Sequence, residues 1–376
     1  MSMASKKVQV IVPFAPAIPI FRMPILKALQ KRGAEVEVLA PDWTPRIRDF
    51  LAASGMKSQS YPLKRTGINP FDDIRTMLSL LRSFRISKPT LILTFQPKPN
   101  IYGIVAAALA RVPKRMAVVE GLGFAFIDGD QTLKKRFVRV VLNTLYRISF
   151  SLSHKVFFLN PDDLSDFTSM GLVRPERAVL LGGIGVLLHE WPVAPPCLNP
   201  VTFTLVARLL KEKGIREFAA AARMMKNSHP GTRFLLIGPL DINPGAVSGS
   251  EVQNWVEDGI VEWVPWVDDV RPYLRETSVY VLPSYREGVP RSTQEAMAMA
   301  RPVITTDVPG CRETVRHGVN GFLVPPRNVD ALVGAMAQFV NDTKLIERMG
   351  LESRRMAEDR FDAEKVNEKM LQALGL

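Results

Sequence analysis

The chain has 376 residues, 47% of them hydrophobic, so it is too apolar for a disordered protein and longer than one hydrophobic core supports. Its formal net charge of +12 is unevenly distributed, because residues 1–200 hold 27 Lys and Arg against 14 Asp and Glu, whereas the remainder is nearly balanced. This asymmetry predicts a polyanionic partner for the first half, either a nucleic acid or an anionic membrane surface.

Short β-branched runs alternate with helical patterns along the chain, which is typical of βαβ units and parallel sheets. We predict strands at residues 8–12, 36–39, 91–94, 116–119 and 156–159, and again at 202–206, 233–237, 261–263, 279–282, 303–306 and 322–324. Between the two sets, four prolines in residues 191–200 exclude regular structure. The fold class is therefore α/β, with two doubly wound Rossmann-like domains, 1–190 and 201–376, facing across a cleft. Residues 191–200 link them, and the last helix is expected to pack back on the first domain.

Other features concern the compartment. Cys197 and Cys311 match neither a disulfide framework nor a metal-binding spacing, which favours a reducing cytoplasm and no metal site. No apolar stretch approaches the roughly 20 residues of a membrane-spanning helix. The apolar run at residues 8–21 formally imitates a secretory signal, but its prolines favour a strand followed by a loop.

The most informative segment, residues 287–295, reads EGVPRSTQE and follows a predicted strand. A helix beginning near Ser292 or Thr293 would hold Glu295 in its first turn and leave Glu287 in the loop, with free backbone N–H groups between them. A diphosphate suits that helix end, and carboxylates accept hydrogen bonds from sugar hydroxyls. For the two glutamates alone, a solvated loop acid and an ordinary acid at a helix start are the better explanation, because short motifs often match by chance. The interpretation therefore depends on the surrounding sequence.

That surrounding sequence resembles glycosyltransferase family 4. Residues 287–295 match its E-x7-E signature, and residues 208–214 resemble its R-x4-K-G element. Further sequence similar to the family lies at 296–304, 308–310, Glu313 and 318–326. The match spans essentially the whole second domain. It implies a GT-B enzyme that moves a hexose or N-acetylhexosamine from a UDP-sugar with retention of configuration, without a metal or other cofactor.

The resemblance also implies roles for individual residues. Arg208 and Lys213 would clamp the donor diphosphate, compensating the charge of the leaving group. Glu287 would hold the donor sugar and Glu295 the ribose hydroxyls. The uracil would lie near Val264, although the flanking tryptophans are equally compatible with a domain core. The backbone that would hold sugar and phosphate oxygens comprises Gly288, Val289, Pro290, Arg291 and Ser292.

The first domain resembles, within this family, transferases that extend sugars on undecaprenyl diphosphate, including those that add N-acetylgalactosamine to a diacetylbacillosamine-bearing lipid. The sequence segments that carry this resemblance are residues 94–103, 120–126 and 157–163. Lys98, at the carboxyl end of a strand, is a candidate for the acceptor diphosphate or an ordinary surface lysine. Further acceptor-binding candidates are Asn100, Gly121 and Gly123. Glu120 stands where many members carry a histidine, and it either orders the acceptor hydroxyl, accepts its proton or braces the loop.

Two basic amphipathic segments, residues 75–88 and 133–148, predict docking of the first domain to the inner face of the cell membrane. Each alone also fits a helix that covers a sheet. Nucleic-acid binding is disfavoured because no basic tail, zinc finger or aromatic-interleaved motif accompanies the charge. A GT-B transferase with a non-polyprenyl acceptor and a nucleotide-sugar epimerase remain alternatives, because the fold does not separate them.

Overall fold

The computed structural model describes residues 6–65, 67, 69–121, 133–241, 243 and 245–376. These residues form two compact units. The first unit runs to Gly182 and takes in Glu364–Leu376, and the second unit is Gly183–Ala363. Each is built on one parallel β-sheet with helices between most successive strands.

The sheet of the first unit has seven parallel strands in the order β3-β2-β1-β4-β5-β6-β7. Val8, Val10 and Ile11 of the central first strand are fully buried, as a parallel strand covered on both faces must be. The strands are β1 Lys6–Ile11, β2 Ala34–Ala40, β3 Lys57–Ser60, β4 Leu91–Phe95, β5 Lys114–Val119, β6 Lys155–Phe158 and β7 Ala178–Leu180. The helices are α1 Met23–Lys31, α2 Pro45–Ala53, α3 Pro70–Ser87, α4 Ile104–Leu109, α5 Leu133–Leu152 and α6 Pro161–Ser169, with π-helical turns at Ile18–Arg22 and Pro99–Gly103.

The sheet of the second unit has six parallel strands in the order β10-β9-β8-β11-β12-β13. The strands are β8 Thr202–Val206, β9 Arg233–Ile237, β10 Glu262–Val264, β11 Val279–Leu282, β12 Val303–Thr306 and β13 Gly321–Val324. The helices are α7 Ile215–Ser228, α8 Gly249–Glu257, α9 Arg271–Arg275, α10 Arg291–Ala298, α11 Val329–Asn341 and α12 Lys344–Arg360, and α13 Ala363–Leu374 follows. The predicted pair of doubly wound Rossmann-like sheets is confirmed.

All eleven predicted strands are present, and the prediction missed β3 and β7. Both missed strands lie at the edges of the first sheet. Neither contains a buried residue, because an edge strand of this sheet is open to solvent. Without burial on both faces a strand carries no apolar run that the sequence could reveal.

The proline-rich segment 191–200 lies within the second unit rather than at the passage between units, which the chain makes between Gly182 and Gly183. The segment has no regular structure, yet side chains of the second unit hold its backbone. The fully buried Arg301 donates to the Pro195 carbonyl at 3.1 Å. Arg354 donates to the Trp191 carbonyl at 2.9 Å.

Helix α13 belongs to the first unit from Glu364 onwards. Lys114, at the start of β5, donates from Nζ to the Leu374 carbonyl at 2.7 Å. Arg32, which follows α1, donates to the Leu376 carbonyl at 2.7 Å. The chain therefore passes between the two units twice.

The C-terminus of α10 contains an unfavourable residue. Ala300 N–H donates to Met297 O and Arg301 N–H donates to Ala296 O, both at 2.9 Å, which is the Schellman pattern. The residue in the left-handed position of that motif is usually glycine, but here it is Ala300, with φ +62°. An L-residue in this conformation costs about 1–2 kcal/mol.

We therefore expect Ala300→Gly to stabilise the protein by about 0.5–1 kcal/mol, the relieved strain being partly offset by the greater freedom of glycine in the unfolded chain. Ala298→Gly, in the last helical residue, is the matched control and should destabilise by about 1 kcal/mol. Urea unfolding midpoints measure both variants. A lower urea midpoint for Ala300→Gly than for the wild type would contradict the interpretation that Ala300 is strained.

Candidate active site

Two loops at the carboxyl edge of the second sheet carry the predicted donor residues. One follows β8 and holds Arg208 and Lys213, and the other follows β11 and holds Glu287. The strand order reverses between β8 and β11, so these loops flank the crevice where open α/β sheets bind ligands.

Lys213 and Glu287 are in direct contact. Lys213 Nζ donates to Glu287 Oε1 at 2.5 Å. Ser284 Oγ donates to the same carboxylate oxygen at 2.8 Å, and the Glu287 backbone N–H donates to the Pro309 carbonyl at 3.1 Å. The carboxylate is thus held from both its side chain and its backbone. An ammonium group has three donors, so Lys213 keeps capacity for an anionic ligand.

Two glycines allow close approach to the loop that follows β11, Gly214 from the loop after β8 and Gly310 from the loop after β12. Gly214, with φ +72°, lies so close to the end of β11 that a Cβ would stand 2.1 Å from the Pro283 carbonyl oxygen. Gly310, with φ +78°, has no room either, because its Cβ would stand 2.2 Å from the Glu287 carbonyl oxygen. Any side chain at these positions must displace the loops that carry Lys213 and Glu287.

Arg208 is exposed over 59% of its side chain and pairs with Asp241, Nη1 to Oδ2, at 2.7 Å. An ion pair this exposed is worth at most about 1 kcal/mol, so Asp241 does not prevent Arg208 from turning to a diphosphate. Asp241 follows β9, and sequence reasoning did not single it out. Among the residues described, no group of three His, Cys, Asp or Glu side chains could hold a metal ion.

Helix α10 begins at Arg291, one or two residues earlier than predicted, so Glu295 lies in its second turn rather than its first. Glu295 is buried and accepts a hydrogen bond from Arg291 Nε at 2.8 Å. Burial raises the pKa of the Glu295 carboxyl, and Arg291 opposes that shift. Tyr280 of β11 donates to Ser292 Oγ at 2.6 Å, which ties the first turn of the helix to the sheet.

The other predicted donor residues surround this helix start or lie at β10. Val289 is buried, and Pro290 immediately precedes the helix without a side-chain cap. Val264 is half-buried, and its carbonyl accepts from the Gly238 N–H at 2.9 Å. Neither Trp263 nor Trp266 is buried, so the tryptophans are not core residues.

The carboxyl edge of the first sheet holds Glu120, directly after β5. Both of its oxygens accept from Arg22, Nη1 to Oε1 at 2.6 Å and Nη2 to Oε2 at 2.5 Å. Gln96 Nε2 donates to Oε2 at 2.9 Å. The predicted glutamate is therefore the centre of a bidentate ion pair, whose second member had no sequence signal.

Lys98 is likewise paired. Its Nζ donates to Asp73 Oδ1 at 2.8 Å, and Tyr102 OH donates to Asp73 Oδ2 at 2.9 Å. Asp73 is a buried residue in the first turn of α3. Lys98 is thus not an ordinary solvated lysine, and part of its charge is compensated before any ligand binds.

The remaining acceptor candidates differ in accessibility. Asn100 is buried, accepting from Thr94 Oγ1 at 2.7 Å and donating to the Val118 carbonyl at 2.8 Å, so it braces the loop within the fold. Gly121 has φ +129° and ends the described segment. Gly123 lies outside the described residues.

Sequence reasoning missed Arg22, Asp73 and Gln96. Gln96 lies inside the segment that carried the family resemblance. Its left-handed φ of +74° is strained for a residue other than glycine, but φ is invisible in a sequence. Arg22 and Asp73 lie outside every motif. Only a three-dimensional arrangement links them to Glu120 and Lys98.

Comparison with known proteins identifies the family and the fold. Family models described as "Glycosyl transferases group 1" and "Glycosyl transferase 4-like domain" match residues 200–342 and 22–183. Over 341 residues the chain is 30% identical to the N,N'-diacetylbacillosaminyl-diphospho-undecaprenol alpha-1,3-N-acetylgalactosaminyltransferase of Campylobacter jejuni, covering 86% of this chain and 87% of that protein. It is 23% identical to the UDP-Gal:alpha-D-GlcNAc-diphosphoundecaprenol alpha-1,3-galactosyltransferase of Escherichia coli, covering 93% of each.

Among solved structures, sucrose-phosphate synthase from Thermosynechococcus elongatus superposes with a TM-score of 0.80 at 21% identity, over 98% of both chains. The fold is therefore GT-B, as predicted. The chain belongs to the group 1 glycosyltransferases, family 4, and the predicted resemblance is confirmed.

Proposed function

We propose that this glycosyltransferase moves a hexose or an N-acetylhexosamine from a UDP-sugar to a saccharide on undecaprenyl diphosphate, with retention of configuration and without a metal. The preferred donors are the UDP derivatives of N-acetylgalactosamine and N-acetylglucosamine. The product would serve bacterial glycan or glycoprotein assembly at the inner face of the cell membrane. The observation that carries the proposal is the contact between Lys213 and Glu287 at the strand-order reversal of the second sheet, beside the start of α10.

The donor chemistry follows from the charges there. Loss of the sugar leaves a nucleoside diphosphate, whose developing negative charge needs nearby cations and hydrogen-bond donors. Lys213, Arg208 and the first N–H groups of α10 supply them. Glu287 adds a carboxylate that accepts hydrogen bonds from sugar hydroxyls.

The named relatives support the donor and the acceptor. The C. jejuni protein acts on a sugar linked to diphospho-undecaprenol, and the E. coli protein transfers from UDP-Gal to such a sugar. The match to both extends over the first unit as well as the second.

The direct test screens UDP-sugars against a short-chain polyprenyl diphosphate carrying one N-acetylhexosamine, with and without EDTA. We expect transfer with one UDP-hexose or UDP-N-acetylhexosamine, unchanged by EDTA, and an α-linked product by NMR. A donor that is converted without any acceptor would instead identify an epimerase. An inverted linkage would contradict retention, and transfer lost in EDTA would contradict metal independence.

A pH dependence should accompany the assignment of Glu295 to the ribose hydroxyls. Burial raises the pKa of Glu295 above its ordinary value of 4.5. Because the carboxylate accepts hydrogen bonds better than the acid does, UDP affinity should be full above that raised pKa and fall as the pH drops through it. Calorimetry of UDP binding measures this. Glu295→Gln has no titrating group at this position, so its pH profile shows the contribution of UDP alone. Identical pH profiles for the wild type and Glu295→Gln would contradict the assignment.

The first unit offers a surface for an anionic membrane. Three exposed apolar residues, Phe71, Ile74 and Leu78, lie on one face of α3, and Arg75 and Arg82 share that face. Both arginines are exposed and form no ion pair with a residue that the structure describes. In the described part of the chain, no helix is long and apolar enough to cross a bilayer. The exposed apolar and basic side chains on this face of α3 fit a helix lying in the interface.

The position of this surface fits the acceptor. Asp73 in the first turn of α3 bonds Lys98, so the apolar face begins at the carboxyl edge of the sheet. In α5, which likewise follows a strand of this sheet, Phe137 and Val140 are exposed near the helix start. A lipid acceptor bound at that edge would have its chain beside apolar side chains.

We expect the wild type to float with vesicles rich in phosphatidylglycerol, less so at high salt, because each cation near such a surface contributes about 1 kcal/mol. Replacing Phe71, Ile74 and Leu78 with serine should remove most of the binding. The control replaces three exposed apolar residues of the second unit, Met224, Val319 and Leu351, with serine and should bind normally. Flotation of both triple variants to the same extent would contradict this surface.

A further inference from the structure

The carboxyl edge of the first sheet contains a buried ion pair that the donor chemistry does not use. The side chains of Arg22 and Glu120 are 6% and 9% exposed. The guanidinium carbon of Arg22 lies 4.0 Å from the ring centroid of Phe95, so one face of the cation rests on an aromatic ring. Gln96 completes the group through its bond to Glu120.

The three polar side chains come from three different connections. Arg22 ends the π-helical turn after β1, Gln96 follows β4, and Glu120 follows β5. The strand order of this sheet reverses between β1 and β4. The group therefore lies at the place where an open α/β sheet binds its ligand.

This arrangement is not one that favours stability alone. A buried ion pair is often no better than two packed apolar side chains, because both charges lose their hydration. Within the part of the chain that the structure describes, Arg22 Nε is buried without a hydrogen-bond partner, which adds to that cost. Gln96 is held in the left-handed region, where a non-glycine residue is strained. Strain and buried polarity at one place point to a ligand.

Glu120 and Gln96 keep oxygen atoms that can still accept hydrogen bonds. A carboxylate has about four acceptor sites, and among the described residues three of those of Glu120 are used, two by Arg22 and one by Gln96. Gln96 Oε1 accepts no hydrogen bond from any described residue. The group can therefore accept hydrogen bonds from a ligand that carries hydroxyl or amide N–H donors.

We infer that Glu120 binds a hydroxyl of the acceptor sugar and that Arg22 and Gln96 are positioning residues that hold its carboxylate in place. This inference rests on the proposed function, since it takes the ligand of the first unit to be the acceptor. It also predicts a requirement for the substrate, since the acceptor sugar must present a hydrogen-bond donor to Glu120.

The test removes both charges together, because either residue alone would leave an uncompensated buried charge and a misfolded protein. The double variant Arg22→Met/Glu120→Leu should unfold at a urea concentration close to that of the wild type and bind UDP equally well. Its affinity for a short-chain polyprenyl diphosphate N-acetylhexosamine, measured by calorimetry without transfer, should fall about 10- to 100-fold, the worth of a hydrogen bond to a charged group. Equal acceptor affinity would overturn the inference.

Three further variants separate positioning from general destabilisation. Arg22→Lys keeps the charge without the fork and should show an intermediate acceptor KM at unchanged donor KM. Gln96→Asn, which tolerates the left-handed backbone, should raise the acceptor KM several-fold. The control Glu35→Gln/Lys57→Gln removes an exposed pair of the same unit and should leave acceptor affinity unchanged. A wild-type protein that binds no such acceptor would instead refute the proposed function, whereas normal wild-type binding with an unaffected double variant refutes only the role of this pair.

Discussion

Replacing Lys213 with alanine is expected to lower kcat/KM for the UDP-sugar by about 100- to 1,000-fold, the usual effect of removing one group that stabilises developing negative charge. Glu287→Gln should cause a loss of similar size, since the amide keeps the shape of the side chain but loses its charge. Neither substitution should unfold the protein, because the pair is only partly buried, with 22% and 12% of the two side chains exposed.

The chain offers a matched control two residues away. Lys211 lies on the same 3-10 turn and is exposed. Lys211→Ala should therefore retain activity within about twofold, as expected for a solvated surface charge. Steady-state kinetics with varied UDP-sugar and calorimetry of UDP binding measure the three variants. Full activity of Lys213→Ala would show that the Lys213 ammonium group does not stabilise the donor diphosphate. The main support for the proposed function would then be lost.

Gly310→Ala should inactivate the enzyme although the residue has no chemistry of its own. A Cβ at this position would stand 2.2 Å from the Glu287 carbonyl oxygen and 2.5 Å from that of Gly288, so the loop that carries Glu287 has to move. A displacement of about 1 Å at a site of this kind costs on the order of 100-fold in rate. We also expect a loss of stability beyond the 1–3 kcal/mol of backbone strain.

Gly318→Ala separates strain from displacement. Gly318 has φ +76°, nearly the same as the +78° of Gly310, but its Cβ would meet nothing within 4 Å. The control should therefore show the strain alone, a loss of about 1–2 kcal/mol, and normal transfer. Urea unfolding and kcat provide the two readouts. If both alanine variants lose activity equally, strain rather than loop displacement explains Gly310.

The candidate site was predictable to different extents in the two units. In the second unit the motif residues are close in sequence to the ends of β8 and β11, and parallel neighbouring strands bring their carboxyl ends together. Lys213 and Glu287 therefore meet as a consequence of topology. The start of α10 was predicted one or two residues late, because Pro290 precedes the helix without a side-chain cap and so leaves no capping signature.

The amino-acid sequence by itself determined the parallel α/β class, the central strands of both sheets, the family and the donor motifs, because burial on both faces and local spacing leave their record along the chain. Only the tertiary structure decided which charges meet in the first unit. Arg22 reaches Glu120 across 98 residues, and Asp73 of helix α3 reaches Lys98 in the loop after β4. A charged side chain carries no local mark of its partner, so whether it faces water, a ligand or another charge depends on how the strands are ordered in the sheet.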